Sequence, residues 1–442
     1  MPIMARFSLS FKDINKMILL ATLVALAYKR GHFSGTLIPS PFQILFVVSI
    51  ILTIIYVLKE YTIREFFRTL PRKITLAFGC LFFSVVLGWI IGTFFVGISS
   101  THHTILDFGT FTMSIIIFFL VLFYTRDDKD YAIWCLYTLL IPNVYIFHYF
   151  FTHGFVGYWG VVNDNSLNGL IDPNLLSKTL LIPALFFMTT ALFAYKDKKW
   201  WLTAVYSIIA ALMSMLIFWT VSRGSLLSLI VGAAVLWLVF SAREFSWKKF
   251  FGAGIIISLI FLLGYAMIPH GSKQELHTKI ANTGSLPRSS DGKIIDIVNA
   301  PTITIEELRE TPRTDVRIFE WSYFLKYALR HPFGVGPSSS SVDYQSTDGG
   351  LLQLRPGNTY IQVLLWGGLL GLVSFLYIIW SAFVRLWKKW KSIATAKVLA
   401  LFVILVALST AIIFDASLYF YWFFIILGLV FGRHEGVENK EL

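Results

Sequence analysis

The amino-acid sequence predicts an all-α integral membrane protein with about twelve transmembrane helices. Of its 442 residues, 56% are hydrophobic and 14% are charged, and the mean hydropathy is +0.70. One soluble core cannot bury that much apolar surface, whereas lipid can solvate it. Apolar stretches long enough to cross a bilayer recur at 17–36, 42–58, 74–96, 105–124, 131–151, 174–195, 200–220, 224–241, 250–268, 359–384, 396–413 and 416–432.

The first apolar stretch is expected to be retained as a helix. Residues 1–16 form an ordinary polar lead-in, and no small-residue cleavage site follows the stretch, so a removable signal peptide is not predicted. The two cysteines, Cys80 and Cys135, lie inside predicted spans. There they are expected to behave as small apolar residues, and neither a disulfide nor a zinc site is predicted.

The net charge of +12 indicates topology. If the N-terminus is cytoplasmic, 23 of the 37 basic residues lie in inward loops, and the short outward loops carry Lys29, Arg30 and Arg223. This asymmetry is typical of a multi-pass inner-membrane protein with both termini in the cytoplasm. Because the charge sorts by side of the membrane, nucleic acid is not predicted as a partner.

Three parts follow from this topology: nine transmembrane helices in 1–268, one large periplasmic loop in 269–358, and three helices with a cytoplasmic tail in 359–442. The loop contains ten basic and ten acidic residues. Apolar residues at helical spacing in 305–310 and 314–330 predict short helices inside it. Proline and glycine in 331–337 predict the end of the second helix.

Two arginines from distant segments are the leading candidates for chemistry. Arg223 opens the eighth span at the outer water–lipid boundary, and an alternative is that it simply snorkels to the interface. Arg317 lies four residues before Trp321, which puts both residues on one face of the predicted loop helix. An alternative for Arg317 is an ordinary solvated charge paired with a nearby carboxylate.

Two further cations point to the same side. Arg355 stands just before the return into the membrane, and Lys178 lies inside a predicted span, where a buried charge needs a partner or a polar cavity. A phosphate is one candidate partner for Lys178. Guanidinium groups hold diphosphates through paired hydrogen bonds and remain charged at any pH. Such fixed cations would stabilise the charge that develops on a diphosphate leaving group.

Other chemistries lack a motif in this sequence. No metal-ligand spacing, nucleophile elbow, phosphate loop or dinucleotide fingerprint is present, and no cofactor is predicted. The adjacent His102 and His103 point apart on a helix, so they do not predict a metal site. The outward carboxylates that could act as a general base are Asp107, Asp172, Asp343, Asp348 and Asp415.

Several short motifs, taken in their order and topology, resemble the O-antigen ligase and O-antigen polymerase superfamily of bacterial membrane enzymes. The resemblance covers most of the chain. The motifs are Asp172-Pro173-Asn174, Thr220-Val221-Ser222-Arg223-Gly224, Arg317 with Trp321, His331-Pro332-Phe333-Gly334-Val335-Gly336-Pro337, Asn358-Thr359-Tyr360, Gly367-Gly368-Leu369-Leu370-Gly371-Leu372, and Asp415 before the last span.

The resemblance implies metal-independent, inverting transfer of a glycan from an undecaprenyl-diphosphate donor on the outer face of the membrane. Arg223 and Arg317 would be catalytic and would hold the diphosphate. The further substrate-binding candidates are Asn174, Lys178, Arg355, Asn358 and Tyr360. In the family a histidine commonly precedes the asparagine that matches Asn358, but Gly357 stands there in this chain. This departure leaves the base that activates the acceptor unassigned, and an altered or inactive site stays an alternative.

A polymerase of O-antigen or exopolysaccharide units is the first expectation, because it depends less on that histidine. A ligase that transfers the glycan to lipid A-core is the alternative. The expected partners are a lipid-linked oligosaccharide, a glycan acceptor, membrane lipid and a chain-length regulator. Two hypotheses from other classes are a flippase for the lipid-linked unit and a structural component of a polysaccharide assembly complex. The absence of an internal repeat argues against the flippase.

Overall fold

The computed structural model describes residues 10–26, 41–62, 65–66, 70–97, 102–126, 128–140, 173–220, 222–243, 246–268, 270, 273–274, 276–277, 313–337, 342–345, 351–354, 356–415 and 420–432. In these ranges the regular structure is helical apart from one short antiparallel hairpin. The predicted helical class is therefore confirmed there, whereas the hairpin, which lies in the predicted outward loop, was not anticipated.

The helices are α1 (Phe11–Ala25), α2 (Pro41–Glu60), α3 (Arg72–Phe94), α4 (His102–Arg126), α5 (Lys129–Thr138), α6 (Pro173–Lys196), α7 (Trp200–Trp219), α8 (Arg223–Ala242), α9 (Trp247–Ala266), α10 (Arg313–Arg330), α11 (Thr359–Ser392), α12 (Ala396–Ala411) and α13 (Tyr421–Gly432). The hairpin consists of β1 (Val342–Gln345) and β2 (Leu351–Leu354), and Val342 pairs with Leu354.

Nine helices in the described part of the chain are long and apolar enough to cross a membrane. They are α2, α3, α4, α6, α7, α8, α9, α11 and α12, and each coincides with a predicted span. The other three predictions extend beyond these helices: the span 17–36 is described to residue 26, the span 131–151 to residue 140, and the last span contains the 12-residue α13. A multi-pass membrane protein is confirmed, and the count of twelve stays a prediction.

The chain divides into two compact units. The first comprises residues 1–72, 116–172 and 425–442, and the second comprises residues 73–115 and 173–424. The predicted three-part division at residues 268 and 358 follows membrane topology, which the two units do not test.

Hydrogen bonds between side chains join four helices of the first unit. Asn15 on α1 donates to Thr53 Oγ1 on α2 at 3.1 Å and to the Tyr124 hydroxyl on α4. Lys16 pairs with Asp128, which caps α5, at 2.5 Å between Nζ and Oδ2. Because polar groups inside a bilayer need protein partners, these contacts fix α1 against its neighbours.

Helix α6 lies at the centre of the second unit. Within its membrane-spanning window 83% of the residues are buried, the largest share among the candidate spans of the described chain. Helix α8 approaches it closely at Gly232, where an added Cβ would lie 2.9 Å from Leu185 on α6 and 3.1 Å from Ala407 on α12. Pro183 lies inside α6, yet the helix is continuous. Helix α6 therefore continues through a residue that usually ends helices, in a position where neighbouring helices pack closely around it.

Helix α11 is interrupted at Gly368, which has φ 62°. The break leaves backbone groups without helical partners, and segment 332–337 supplies new ones. The bonds run from Val335 N to Leu365 O at 2.7 Å, from Gly336 N to Trp366 O at 3.1 Å and from Leu369 N to Pro332 O at 2.8 Å. The sequence predicted one continuous span here. Instead, the segment that follows α10 packs into the break, which fixes the short first part of α11.

Candidate functional site

One cluster in the second unit contains most of the described candidates and is called here the Asp415 cluster. Its members are Lys178, Arg223, Gly224, Trp321, Thr359, Phe414 and Asp415. They come from the N-terminal parts of α6, α8 and α11, from α10, and from the end of the short 3₁₀ turn that follows α12. The N-terminal parts of α6, α8 and α11, together with helix α10, thus meet at Phe414 and Asp415, which follow α12.

Arg223 is the first residue of α8. Ser222 occupies the N-cap position in an extended conformation, without a capping hydrogen bond from its side chain, and Arg223 is half-buried. Ser225, one turn into the helix, lies 2.6 Å from Ser177 of α6 between hydroxyl oxygens. This buried contact fixes the start of α8 against α6. The N-terminal turn of a helix carries partial positive charge, which adds to the charge of Arg223.

Gly224 brings Phe414 against this same turn. An added Cβ at Gly224 would lie 2.6 Å from the Phe414 Cβ, so a larger residue would displace the phenyl ring. Glycine at this position therefore permits close packing between the start of α8 and the residue that precedes Asp415.

Helix α10 reaches Phe414 from the other direction. The ring centroids of Trp321 and Phe414 are 6.3 Å apart. Arg317 lies one helical turn before Trp321 on the same helix face; its backbone is described and its side chain lies outside the described residues. The structure thus brings the helices that carry the two predicted arginines to one aromatic residue.

Lys178 has a carboxylate partner, Asp415. The lysine side chain is 2% exposed, and its ammonium forms an ion pair with Asp415 and lies 5.7 Å from the centroid of the Phe420 ring. Burying an ammonium group in an apolar interior is costly unless a counter-charge accompanies it. The sequence predicted that a buried Lys178 needs a partner or a polar cavity, and Asp415 is such a partner.

Asp415 is held at two points and keeps part of its carboxylate accessible. Lys178 binds the carboxylate, and the Thr359 hydroxyl donates to the Asp415 carbonyl at 2.7 Å. The Asp415 side chain remains 32% exposed. A fixed, partly exposed carboxylate beside a row of helix N-termini is an arrangement that can accept a proton from a hydroxyl group.

Asn358 and Tyr360 contact the protein's own backbone. The Asn358 Oδ1 accepts hydrogen bonds from the N–H groups of Tyr360 at 2.8 Å and Ile361 at 3.2 Å, so it caps α11. The Tyr360 hydroxyl donates to the Ser409 carbonyl at 3.1 Å. Asparagine before a helix is a common cap, a role that the sequence alone could have indicated. Substrate binding by these two residues stays a prediction.

Gly357, the residue before Asn358, has φ 53°. Residues other than glycine rarely adopt a positive φ of this size. The backbone at this position is therefore suited to the glycine that the sequence has. Arg355 lies outside the described residues, as do the side chains of Asn174 and Asp343 and the whole of Asp172 and Asp348. Among the described side chains, no three His, Cys, Asp or Glu come together in a group that could hold a metal ion.

Sequence reasoning missed three contacts of the Asp415 cluster. Lys178 and Asp415 were each singled out, but they are 237 positions apart, and no pattern connects two charges at that separation. The contacts of Phe414 with Gly224 and Trp321 were missed because single aromatic residues in apolar spans carry no distinguishing signal.

Comparison with known families agrees with the resemblance drawn from the motifs. Residues 208–376 match the model of a family described as O-antigen ligase. The matched range contains Arg223, Arg317, Trp321 and Asn358, whereas Lys178 and Asp415 lie outside it. No curated protein matches the chain.

Proposed function

We propose that this chain, whose residues 208–376 match the model of a family described as O-antigen ligase, transfers lipid-linked glycan on the outer face of the bacterial inner membrane. The proposed donor is an undecaprenyl-diphosphate-linked oligosaccharide, and the proposed acceptor is another carrier-linked unit, so the product is a longer polysaccharide. The observation that carries this proposal is the convergence of the Arg223 and Arg317 helices on Phe414.

The two arginines would hold the diphosphate. An acceptor hydroxyl oxygen attacks the anomeric carbon of the donor from the face opposite the diphosphate, and the bond from that carbon to the diphosphate oxygen breaks with inversion. The leaving diphosphate takes the electron pair and carries the negative charge. Guanidinium groups together with the N–H groups at the start of α8 would stabilise that charge without a metal.

Asp415 would take the proton from the acceptor hydroxyl. Its ion pair with Lys178 holds the carboxylate in place, and its 32% exposure leaves access for a hydroxyl group. This assignment supplies a base in a chain that has Gly357 in place of the family histidine. Lys178 would then serve substrate binding through its hold on Asp415, and Asn358 would do so by fixing the first turn of α11.

Transfer to lipid A-core is the second candidate, because the matching family is described as O-antigen ligase. The two activities differ in the acceptor. Purified protein supplied with the lipid-linked donor and either carrier-linked units or lipid A-core would separate them: the first should give a ladder of longer glycans, and the second a single capped product. A flippase would give neither product.

Replacement of the arginines tests the proposal. Arg223→Ala and Arg317→Ala should each reduce glycan transfer by about 100-fold or more, since each removes a positive group that faces developing charge. Arg330→Ala, at the other end of α10, is a matched control that should transfer glycan normally. The readout is product length on gels, with membrane insertion measured in parallel. Normal product length in both site variants would overturn the proposal.

A further inference from the structure

Helices α6, α8 and α11 begin at the Asp415 cluster and end together at a second feature, called here the basic end. It comprises residues 196–201, 242–249 and 385–397, the connections from α6 to α7, from α8 to α9 and from α11 to α12. These segments contain eleven Lys or Arg residues and two acidic residues, Asp197 and Glu244. Asp197 lies 3.9 Å from Lys199, and Glu244 lies outside the described residues.

Side-chain contacts join the ends of the three helices that lead into these connections. Arg243, which follows α8, donates to the carbonyl of Trp390 near the end of α11, and its guanidinium carbon lies 5.1 Å from the centroid of the Trp390 ring. Phe193 of α6 lies between Trp390 and Phe240, with centroid distances of 6.2 Å and 5.6 Å. The ends of the three helices that carry the basic connections therefore pack against one another.

Tryptophan side chains lie among these cations. The basic end contains five of the chain's fourteen tryptophans. Trp200, Trp201 and Trp247 are 65%, 77% and 64% exposed, and Trp387 is 41% exposed with the Lys391 ammonium 5.4 Å from its ring centroid. Exposed tryptophan is unfavourable in water, but its amphipathic ring suits the headgroup level of a bilayer.

We propose that the basic end binds the headgroups of anionic phospholipids in the adjacent leaflet. Membrane topology is set by an excess of Lys and Arg in the inward loops. It does not require that the ends of three basic helices pack together, or that a guanidinium be held by a ring and a carbonyl. Clustered cations beside a transmembrane helix attract anionic lipid, and the tryptophans place them at headgroup depth. A nucleic acid or an acidic soluble protein would complement the positive charge of the basic end, but it would not provide an apolar environment for the exposed tryptophan rings.

The full-length protein, purified in detergent, provides the test. Added phosphatidylglycerol should raise the apparent unfolding temperature by about 2–5 °C more than phosphatidylcholine, and this difference should disappear at about 1 M salt, where charges are screened. Native mass spectrometry should retain phosphatidylglycerol in preference to phosphatidylcholine. The variant Lys388→Gln/Lys389→Gln/Lys391→Gln should lose most of the preference.

The matched control is Lys12→Gln/Lys59→Gln/Lys73→Gln, which removes three charges outside the basic end and should keep the preference. Equal stabilisation by the two lipids, or an equal loss in both triple variants, would overturn the proposal. Stabilisation by polyglutamate but not by phosphatidylglycerol would assign a soluble polyanion and overturn it as well. The comparison of lipids in the unmodified protein decides the question even if a variant fails to insert.

Discussion

Two lysine–aspartate pairs, one in each unit, have similar chemistry and different surroundings. Lys178 pairs with Asp415 in the second unit, and Lys16 pairs with Asp128 in the first. Each ammonium also lies over an aromatic ring, at 5.7 Å and 5.4 Å from the centroids. Lys178 is 2% exposed and Lys16 is 14% exposed, whereas the two aspartates are about equally accessible at 32% and 33%.

The difference lies in what each pair fixes. Asp128 also caps α5 through the N–H of Tyr131 at 2.9 Å, so the pair in the first unit reinforces a helix end. Asp415 connects the end of α12 to α6 and α11 beside the helices of Arg223 and Arg317. The same pair of residue types therefore supports local structure in one unit and the candidate active site in the other.

The largest effect is expected from Asp415→Asn. Asparagine keeps an acceptor oxygen but removes the charge that compensates the buried Lys178, and breaking a buried pair from one side costs about 3–5 kcal/mol. We expect a marked loss of stability, measured by denaturant titration of the purified protein in micelles, together with loss of glycan transfer. Stability equal to that of the unmodified protein would show that the pair is not an anchor.

The double variant Lys178→Met/Asp415→Asn separates the two roles of Asp415. Removal of both charges avoids the uncompensated ammonium, so stability should recover by more than half of the single-variant loss. Glycan transfer should remain absent, because the proposed base is still missing. Recovery of transfer along with stability would mean that Asp415 acts through structure alone.

A smaller effect is expected from Asp128→Asn, which is the matched change in the first unit. Asparagine caps helices about as well as aspartate, so this variant isolates the charge. Partly exposed pairs contribute about 0.2–1 kcal/mol, and we expect a loss in that range with glycan transfer unchanged. A loss as large as that of Asp415→Asn would remove the contrast between the two pairs.

The sequence predicted the helices better than it predicted the site, and the reason is physical. A bilayer-length apolar stretch is a local signal, so nine predicted spans coincide with helices in the described chain. The break at Gly368 was missed because it depends on hydrogen bonds to segment 332–337, which is about 30 positions away. Pro183 shows the converse, since it lies in a continuous helix.

The sequence predicted those parts of the candidate site in which the residue type alone limits the possible chemistry. Arg223 stood out because the short outward loops carry few cations, and Arg317 stood out because it shares a helix face with Trp321. The helices that carry the two arginines do converge on Phe414. The partner of Lys178 could not be predicted, because a buried charge requires a counter-charge without indicating which of several carboxylates supplies it. The packing of α6 against the residues after α12 is what makes Asp415 the partner of Lys178.

Acidification should have the smallest effect on stability, and this effect arises from the Asp128 carboxyl. Burial raises the pKa of this carboxyl, but the hydrogen bonds from Lys16 and from the Tyr131 N–H outweigh burial and leave the pKa below its ordinary value of 3.8. A carboxyl with a lowered pKa in the folded state stabilises the protein above its unfolded pKa, and that contribution is lost as the pH falls through the folded pKa.

The difference in stability between the unmodified protein and Asp128→Asn should therefore be constant above about pH 5 and shrink towards zero below about pH 3. Unfolding temperatures of the two proteins, measured in micelles across this range, give the comparison. A difference that grows on acidification would mean that the folded state favours the protonated carboxyl. The ion pair with Lys16 would then not stabilise the charged Asp128 carboxylate, and the comparison of the two pairs as like interactions in different surroundings would fail.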